Sequence, residues 1–106
     1  MSLLIDVHKI NYNKNNIKFC FITSSYNQEQ FIIMNLNSIR LQKYNNYRVL
    51  YVNDNSTDNS LNILQQYRKS FPSFKMKIIN NNIRGGPAYS RQLAYNECTD
   101  DEICVF

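Results

Sequence analysis

The sequence predicts an α/β fold: a Rossmann-like βαβαβαβ three-layer sandwich built on a mostly parallel, four-stranded sheet. Four short apolar runs alternate along the chain with three segments whose apolar residues follow helical spacing. Short connections join them, which is typical of parallel strands linked by right-handed helical crossovers. The 106 residues are enough for one small domain with one core.

The four apolar runs have the composition of strands. Residues 17–23 are rich in β-branched and aromatic side chains. Residues 47–52 lack strict alternation, which suits a strand covered on both faces. In residues 74–79 apolar side chains alternate with lysines, which indicates a more exposed strand at an edge of the sheet. Residues 102–106 begin a fourth strand.

Three segments predict helices. In residues 29–41 the apolar side chains recur on one helical face. A second helix runs from Leu61 and is stopped by Pro72. The third, within residues 85–97, begins with a glycine pair followed by Pro87, which suits the first helical position.

Composition narrows the function classes. The net charge is +4, but the basic residues are scattered without a run of five, so no nucleic-acid partner is predicted. The three cysteines, Cys20, Cys98 and Cys104, lack a C-x-x-C spacing and predict neither a disulfide framework nor a zinc site. We expect a reducing compartment, the cytoplasm.

The chain divides into a polar leader, residues 1–16, and a domain, residues 17–106. The leader ends in an asparagine-rich stretch typical of a loop or flexible arm. Its first ten residues lack the apolar run and the cleavage site of a signal peptide, and no transmembrane segment is predicted.

Polar loops follow the predicted strands at 23–30, 53–60 and 80–86. In open parallel sheets, ligands bind outside the carboxyl ends of the strands, at a topological switch point. The first loop is neither G-x-G-x-x-G nor a P-loop, so it lacks the glycines with which those motifs cradle phosphates. These loops nevertheless predict a ligand site.

The side chains of the first two loops suit a flat heterocycle. Ser24 and Ser25 supply hydroxyls, Tyr26 an aromatic face and Asn27 an amide. Asp54 follows the neighbouring strand, and a carboxylate only accepts hydrogen bonds. It would therefore select a base that carries an N–H donor, such as uracil or guanine.

The third loop suits phosphate. Gly85 and Gly86 precede a helix, where exposed N–H groups favour anions. Arg91 lies a turn further along and supplies positive charge. Arg84, in the same loop, is a secondary candidate together with the two glycines.

Each of these features also has a purely structural interpretation. Ser56 or Thr57 would cap the second helix and place Asp58 in its first turn, or Asp54 and Asp58 would themselves serve only as caps of that helix. Tyr26 would be an aromatic at the core edge, the glycines a plain turn and Arg91 a solvated helix residue.

Three motifs in order resemble the family 2 glycosyltransferases, which have the GT-A nucleotide-sugar-binding fold. "SSYN" (24–27) resembles the family's first-strand end, and "VNDNSTDNS" (52–60) resembles its "VDDGSTDGS". "NNIRGGPAYSRQ" (81–92) resembles "N-x-G-x-x-x-ARN", with Ser90 in the alanine place. The resemblance covers residues 17–106.

The resemblance implies transfer of a sugar from a nucleotide-diphosphate sugar, a UDP-sugar foremost, to an unknown glycan, protein or lipid acceptor. It places Ser24, Tyr26 and Asp54 at the base and Arg91 near the diphosphate or ribose. It also implies a divalent cation, Mn or Mg, for the full enzyme. The family's metal-binding DxD motif and its catalytic base fall beyond Phe106, so this chain is expected to hold no catalytic or metal-ligating residue.

Three asparagines depart from the family pattern. Asn53 replaces an aspartate, and Asn55 and Asn59 replace glycines. Asparagine tolerates positive φ, so we expect the turn to survive.

The leading hypothesis is the nucleotide-binding part of a glycosyltransferase, inactive by itself. The alternative is a truncated or degenerate nucleotide-binding or interaction module without catalysis. A sugar nucleotidylyltransferase is disfavoured because its glycine-rich first loop is missing. A phosphoacceptor receiver domain is disfavoured because its paired acids would follow the first strand. We also expect self-association into a homo-oligomer through unpaired strand edges.

Overall fold

The computed structural model describes residues 17–106, and the predicted leader lies outside them. Four strands and three helices alternate along the described residues. They are β1 (Lys18–Ser25), α1 (Glu29–Arg40), β2 (Tyr47–Asp54), α2 (Ser60–Ser70), β3 (Met76–Asn81), α3 (Pro87–Tyr95) and β4 (Glu102–Val105). The predicted order of elements is confirmed.

The four strands form one sheet in the order β3-β2-β1-β4, and all three pairings are parallel. The chain moves from β1 outward to β3 and then returns to place β4 on the other side of β1. This reversal makes the carboxyl edge of β1 the switch point, where an open α/β sheet leaves room for a ligand. β3 lies at an edge, as its exposed lysines predicted.

The sheet is covered on both faces because successive side chains of a strand point to opposite sides. Phe19 and Phe21 pack with α1 and α2 in the larger apolar cluster. Cys20 and Ile22 pack with Ala94 of α3 in the smaller one. The result is the predicted three-layer sandwich, with β1 and β2 buried from both sides.

The prediction that Ser56 or Thr57 caps α2 is wrong, whereas Asp58 does accept a hydrogen bond from the first N–H of the helix, that of Ser60. The helix begins at Ser60, and the side chain of its N-cap residue, Asn59, makes no capping hydrogen bond. Ser56 and Thr57 instead contact Asn27 across the loops, as described below. Asp58 precedes the helix rather than lying in its first turn.

None of the helices within residues 17–106 has the length and apolar character needed to span a membrane. The longest, α1, has 12 residues.

Candidate functional site

A cleft of about 660 Å³ opens at the carboxyl ends of β1 and β2. Parts of β1, α1, α3 and the loops between strands and helices line it. Six of the predicted site residues meet in this cleft: Ser24, Ser25, Tyr26, Asp54, Arg84 and Arg91. The switch point of the sheet therefore brings together side chains that lie up to 67 positions apart (24 to 91) in the sequence.

Asp54 anchors the loop between β3 and α3. It is the last residue of β2 and only 3% exposed. Its carboxylate accepts hydrogen bonds from the backbone N–H groups of Gly85 and Gly86, both at 2.9 Å, and from Asn81 Nδ2 at 3.1 Å. An ionised carboxylate has about four acceptor positions, so three bonds leave one for a ligand donor.

The same contacts keep Asp54 ionised. Burial alone raises the pKa of this carboxyl, but the hydrogen bonds from Gly85, Asn81 and Gly86 outweigh burial and hold the pKa below its ordinary value. The negative charge at the cleft floor is therefore present at neutral pH. The Asp54 carboxylate holds the loop that precedes α3, so the interpretation of Asp54 as a cap of α2 is wrong.

The two glycines do not offer free N–H groups for phosphate, which corrects the sequence-based expectation. Both N–H groups are donated to Asp54. Gly86 has φ of 89°, a conformation that disfavours side chains, and a Cβ on Gly85 would lie 2.0 Å from Tyr89 Cδ1. The glycines are needed so that the loop can close on the carboxylate.

Arg84 stacks on Tyr26. The guanidinium carbon lies 4.0 Å from the centre of the tyrosine ring, a cation–π contact. Both residues line the cleft. The aromatic face that the sequence assigns to a heterocycle is therefore covered by a side chain of the protein itself.

Asn27 holds two loops together. Its assignment as a nucleotide contact stays a prediction. Its Oδ1 accepts hydrogen bonds from the N–H groups of Thr57 (2.8 Å) and Asp58 (3.2 Å), and its Nδ2 donates to Thr57 Oγ1 (3.1 Å). Its own N–H donates to Ser56 Oγ at 3.1 Å. These bonds position the loop that carries Tyr26.

The starts of α1 and α2 share one carboxylate. Asp58 accepts hydrogen bonds from the N–H groups of Ser60 (3.0 Å) and Glu29 (3.2 Å). Burial raises the pKa of Asp58, but the bonds from Ser60 and Glu29 outweigh it and lower the pKa overall. The acid thereby compensates the positive ends of two helices.

The asparagine departures fit the fold. Asn55 has φ of 59°, so it takes the left-handed conformation that a glycine would take. Asn59 has φ of −85°, an ordinary conformation that does not require a glycine. Asn53 Nδ2 donates to Asn80 Oδ1 at 2.8 Å and thereby links β2 to β3. The expectation that the turn survives is confirmed.

Two buried hydroxyls in the cleft wall have no hydrogen-bond partner within the described part of the chain. Ser90 is fully buried and Thr23 is 6% exposed, and both line the cleft. An unsatisfied buried hydroxyl is costly, so a ligand or water is the natural partner. Ser90 stands where the family pattern has alanine, and this difference was the sequence signal for the buried hydroxyl.

The cleft wall does not fit a divalent cation. Among the described residues that line it, the one carboxylate is Asp54, and three donors already occupy its oxygens. Mg²⁺ and Mn²⁺ require several free oxygen ligands.

The comparison with known proteins agrees with this geometry. The family model for glycosyl transferase family 2 matches residues 20–106. This chain belongs to glycosyl transferase family 2. A curated family member, the poly(ribitol-phosphate) beta-N-acetylglucosaminyltransferase TarS of Staphylococcus aureus, is 34% identical over 92 residues. That alignment covers 85% of this chain and 16% of TarS.

Solved structures place this family 2 chain among the GT-A glycosyltransferases. TarS residues 1–349 in complex with UDP superpose with a TM-score of 0.72 at 30% identity, covering 84% of this chain and 27% of that one. The mannosyltransferase PcManGT of Pyrobaculum calidifontis, in complex with GDP-Man and Mn²⁺, superposes with a TM-score of 0.74 at 23% identity. That match covers 77% of this chain and 24% of the mannosyltransferase chain. At that identity the second likeness shows the fold alone. The chain spans about a quarter or less of these relatives.

Proposed function

We propose that this chain supplies the nucleotide-binding part of a glycosyltransferase that takes its sugar from a UDP-sugar. The meeting of Tyr26, Asp54 and Arg91 in one cleft carries the proposal. TarS, which is 30% identical in structure-based alignment, has been solved with UDP, and a second structure of it with UDP-GlcNAc supports the same donor class. The acceptor is left open.

In this proposal the base stacks on Tyr26 and donates its N–H to the remaining acceptor position of Asp54. Ser24 and Ser25 offer hydroxyls, although Ser25 Oγ already accepts from Tyr51 at 2.9 Å. Arg91 supplies charge toward the diphosphate. Leaving-group chemistry and any metal belong to parts of a longer protein, so we expect negligible sugar transfer from this chain alone.

Calorimetric titration with UDP and CDP tests the base assignment. Uracil presents an N–H at the ring position where cytosine presents a bare acceptor nitrogen, which would face the Asp54 carboxylate. We expect UDP to bind more tightly than CDP by about 1–3 kcal/mol, because the cytosine contact leaves buried acceptors unpaired. Equal affinity for the two nucleotides would contradict the assignment.

A variant pair tests the stacking role. Tyr26→Leu removes the aromatic face in the cleft, whereas Tyr95→Leu removes an exposed tyrosine that does not line it. We expect the first to weaken UDP binding by about 1–3 kcal/mol, the range of base–aromatic stacking, and the second to leave it unchanged. Equal losses in both variants would remove Tyr26 from the site.

Two further expectations stay predictions. A cytoplasmic location is one. Self-association is the other: β4 lies at an edge of the described sheet, and Ile103 and Phe106 near it are 45% and 52% exposed. Light scattering over a concentration series would detect dimers, and a constant monomer mass would contradict the expectation.

A further inference from the structure

The solvent-facing side of α1 carries large apolar side chains. The core-facing residues of this helix are buried. On the opposite side Ile33 and Met34 are 53% and 59% exposed, and Leu41, the C-cap residue, is 68% exposed. Met34 and Leu41 are seven positions apart and therefore lie on one stripe of the helix. A helix that is apolar on all sides is normally covered on all sides, but these three side chains face solvent.

Cations lie at the end of the layer that α1 and α2 form together. Both helices pack on the same face of the sheet, in the larger apolar cluster. Arg40 Nε donates to Tyr67 Oη at 2.8 Å and joins the last turns of the two helices. Arg68 and Lys69 occupy the last turn of α2, and Lys43 follows the end of α1. All three cations are exposed, and no ion pair among the residues that the structure describes includes them.

We call six side chains the outer helix surface: Ile33, Met34, Leu41, Lys43, Arg68 and Lys69. Acidic residues are absent from residues 30–53 and 59–96 of the sequence. Glu29 and Asp58 lie at the other ends of the two helices, where the N–H of Glu29 donates to Asp58. That end of α1 is about 18 Å from the cations, because the helix has 12 residues. Three of the acids in and before β4 are taken up by ion pairs with other cations. The outer helix surface is therefore basic as well as apolar.

We propose that the outer helix surface binds the surface of a membrane that contains anionic lipids. Apolar side chains on a helix that lies parallel to a membrane enter the boundary between headgroups and acyl chains. Lysine and arginine side chains beside them attract anionic headgroups. Both kinds of group are present here on one face of the molecule.

Lipid fits the outer helix surface better than a nucleic acid does. Single-stranded nucleic acids bind to exposed aromatic rings on which their bases stack. The rings of Tyr67 and Phe71 adjoin the cations in sequence, but Tyr67 is buried. The guanidinium carbon of Arg40 lies 3.8 Å from the centre of the Phe71 ring and covers it. The exposed apolar groups of the surface are not aromatic, so they suit acyl chains and give bases no stacking face.

The outer helix surface meets the cleft at Met34, which also lines the cleft wall. A chain held on a membrane by this surface therefore opens its cleft beside the lipid headgroups. Binding to the membrane requires no nucleotide, so its test is independent of the proposed function.

Co-sedimentation with lipid vesicles tests the proposal. We expect the chain to pellet with phosphatidylcholine vesicles that contain about one-third phosphatidylglycerol, and to stay in solution with pure phosphatidylcholine vesicles. Raising the salt concentration from about 0.1 M to about 1 M should weaken the binding, because the Debye length falls from about 10 Å to about 3 Å. Absence of binding to the anionic vesicles, or equal binding to both kinds, would overturn the proposal.

An apolar variant separates a membrane from a soluble polyanion. The double variant Ile33→Gln, Leu41→Gln keeps every charge and should bind the anionic vesicles about tenfold more weakly, because two apolar side chains no longer enter the lipid. Ile83→Gln is the matched control, since Ile83 is an exposed apolar residue outside the surface, and it should bind unchanged. Circular dichroism confirms that each variant is folded. If the double variant binds as tightly as the unmodified chain, the partner is a polyanion such as a nucleic acid and the proposal is wrong.

Charge variants locate the surface. Lys43→Gln and Lys69→Gln should each weaken binding to the anionic vesicles about fivefold, the share of one cation near such a membrane. Lys77→Gln removes the same charge from a lysine that pairs with Glu97, outside the surface, and should leave the binding unchanged. Equal losses in all three variants would mean that net charge alone attracts the chain, which would overturn the assignment to the outer helix surface.

Discussion

The guanidinium carbon of Arg84 lies 4.0 Å from the centre of the Tyr26 ring, inside the cleft. A base that stacks on this face must displace the arginine. Under the proposed function, the arginine therefore competes with the base for this ring face.

Removal of this competitor should tighten the binding of a neutral nucleoside. Arg84→Ala should bind uridine about two- to fivefold more tightly, because a cation–π contact of about 0.5–1 kcal/mol no longer has to be broken. NMR titration with uridine measures the change. Weaker binding of uridine would instead mean that Arg84 stays in place as a second stacking surface.

Asp54→Asn should destabilise the fold. The amide keeps the shape of the side chain but loses the charge, and its nitrogen faces N–H donors, so the hydrogen bonds from Gly85 and Gly86 are impaired. We expect a loss of about 2–4 kcal/mol in the free energy of unfolding, measured by urea denaturation. Asp100→Asn, at an exposed position, is the control and should change stability by less than about 0.5 kcal/mol.

Ser90→Ala should separate binding from stability. The hydroxyl is buried without a partner, so its removal should leave the free energy of unfolding unchanged or raised. UDP binding should weaken by about 0.5–1.5 kcal/mol if the hydroxyl contacts the ligand. Ser60→Ala is the converse control: its hydroxyl donates to Asp58 at 2.5 Å, so stability should fall while UDP affinity is kept. Unchanged UDP affinity in Ser90→Ala would exclude the contact.

Stability should fall in acid. The pKa values of Asp54 and Asp58 are lowered in the folded state from an ordinary 3.8, so the unfolded chain takes up protons first as the pH falls. The stabilisation from both acids is therefore complete above the ordinary pKa and is lost between it and the lower folded pKa. Urea denaturation at about pH 6 and about pH 3 measures the loss, and Asp58→Asn should show a smaller one. An equal loss in that variant would contradict the role of Asp58.

Local pattern was sufficient to predict the elements. Helical spacing and apolar runs identify α1 and β2 because they record which side chains must leave water. The lysines of β3 identify an edge strand for the same reason. The motifs around Tyr26 and Asp54 indicated the family because a turn, a strand end and a polar group recur there in a set order.

Partner choice between distant residues was not predictable in the same way. Ser56 and Thr57 have the composition of a helix cap, yet they bond to Asn27, which is 29 and 30 positions away. Gly85 and Gly86 have the composition of a phosphate loop, yet they bond to Asp54. Each donor satisfies the nearest acceptor in space, and the sheet order decides which acceptor that is.

The sequence by itself determined the alternation of strands and helices, the position of polar loops after the strands, and the membership in a family. The tertiary structure alone decided that Arg84 covers Tyr26, that Asp54 holds the loop before α3, and that Cys98 lies beside Cys20. The physical reason is the separation along the chain over which each kind of interaction acts. Periodicity and turn chemistry act over a few residues, whereas hydrogen bonds and sulfur contacts join whatever the return of β4 beside β1 brings within reach.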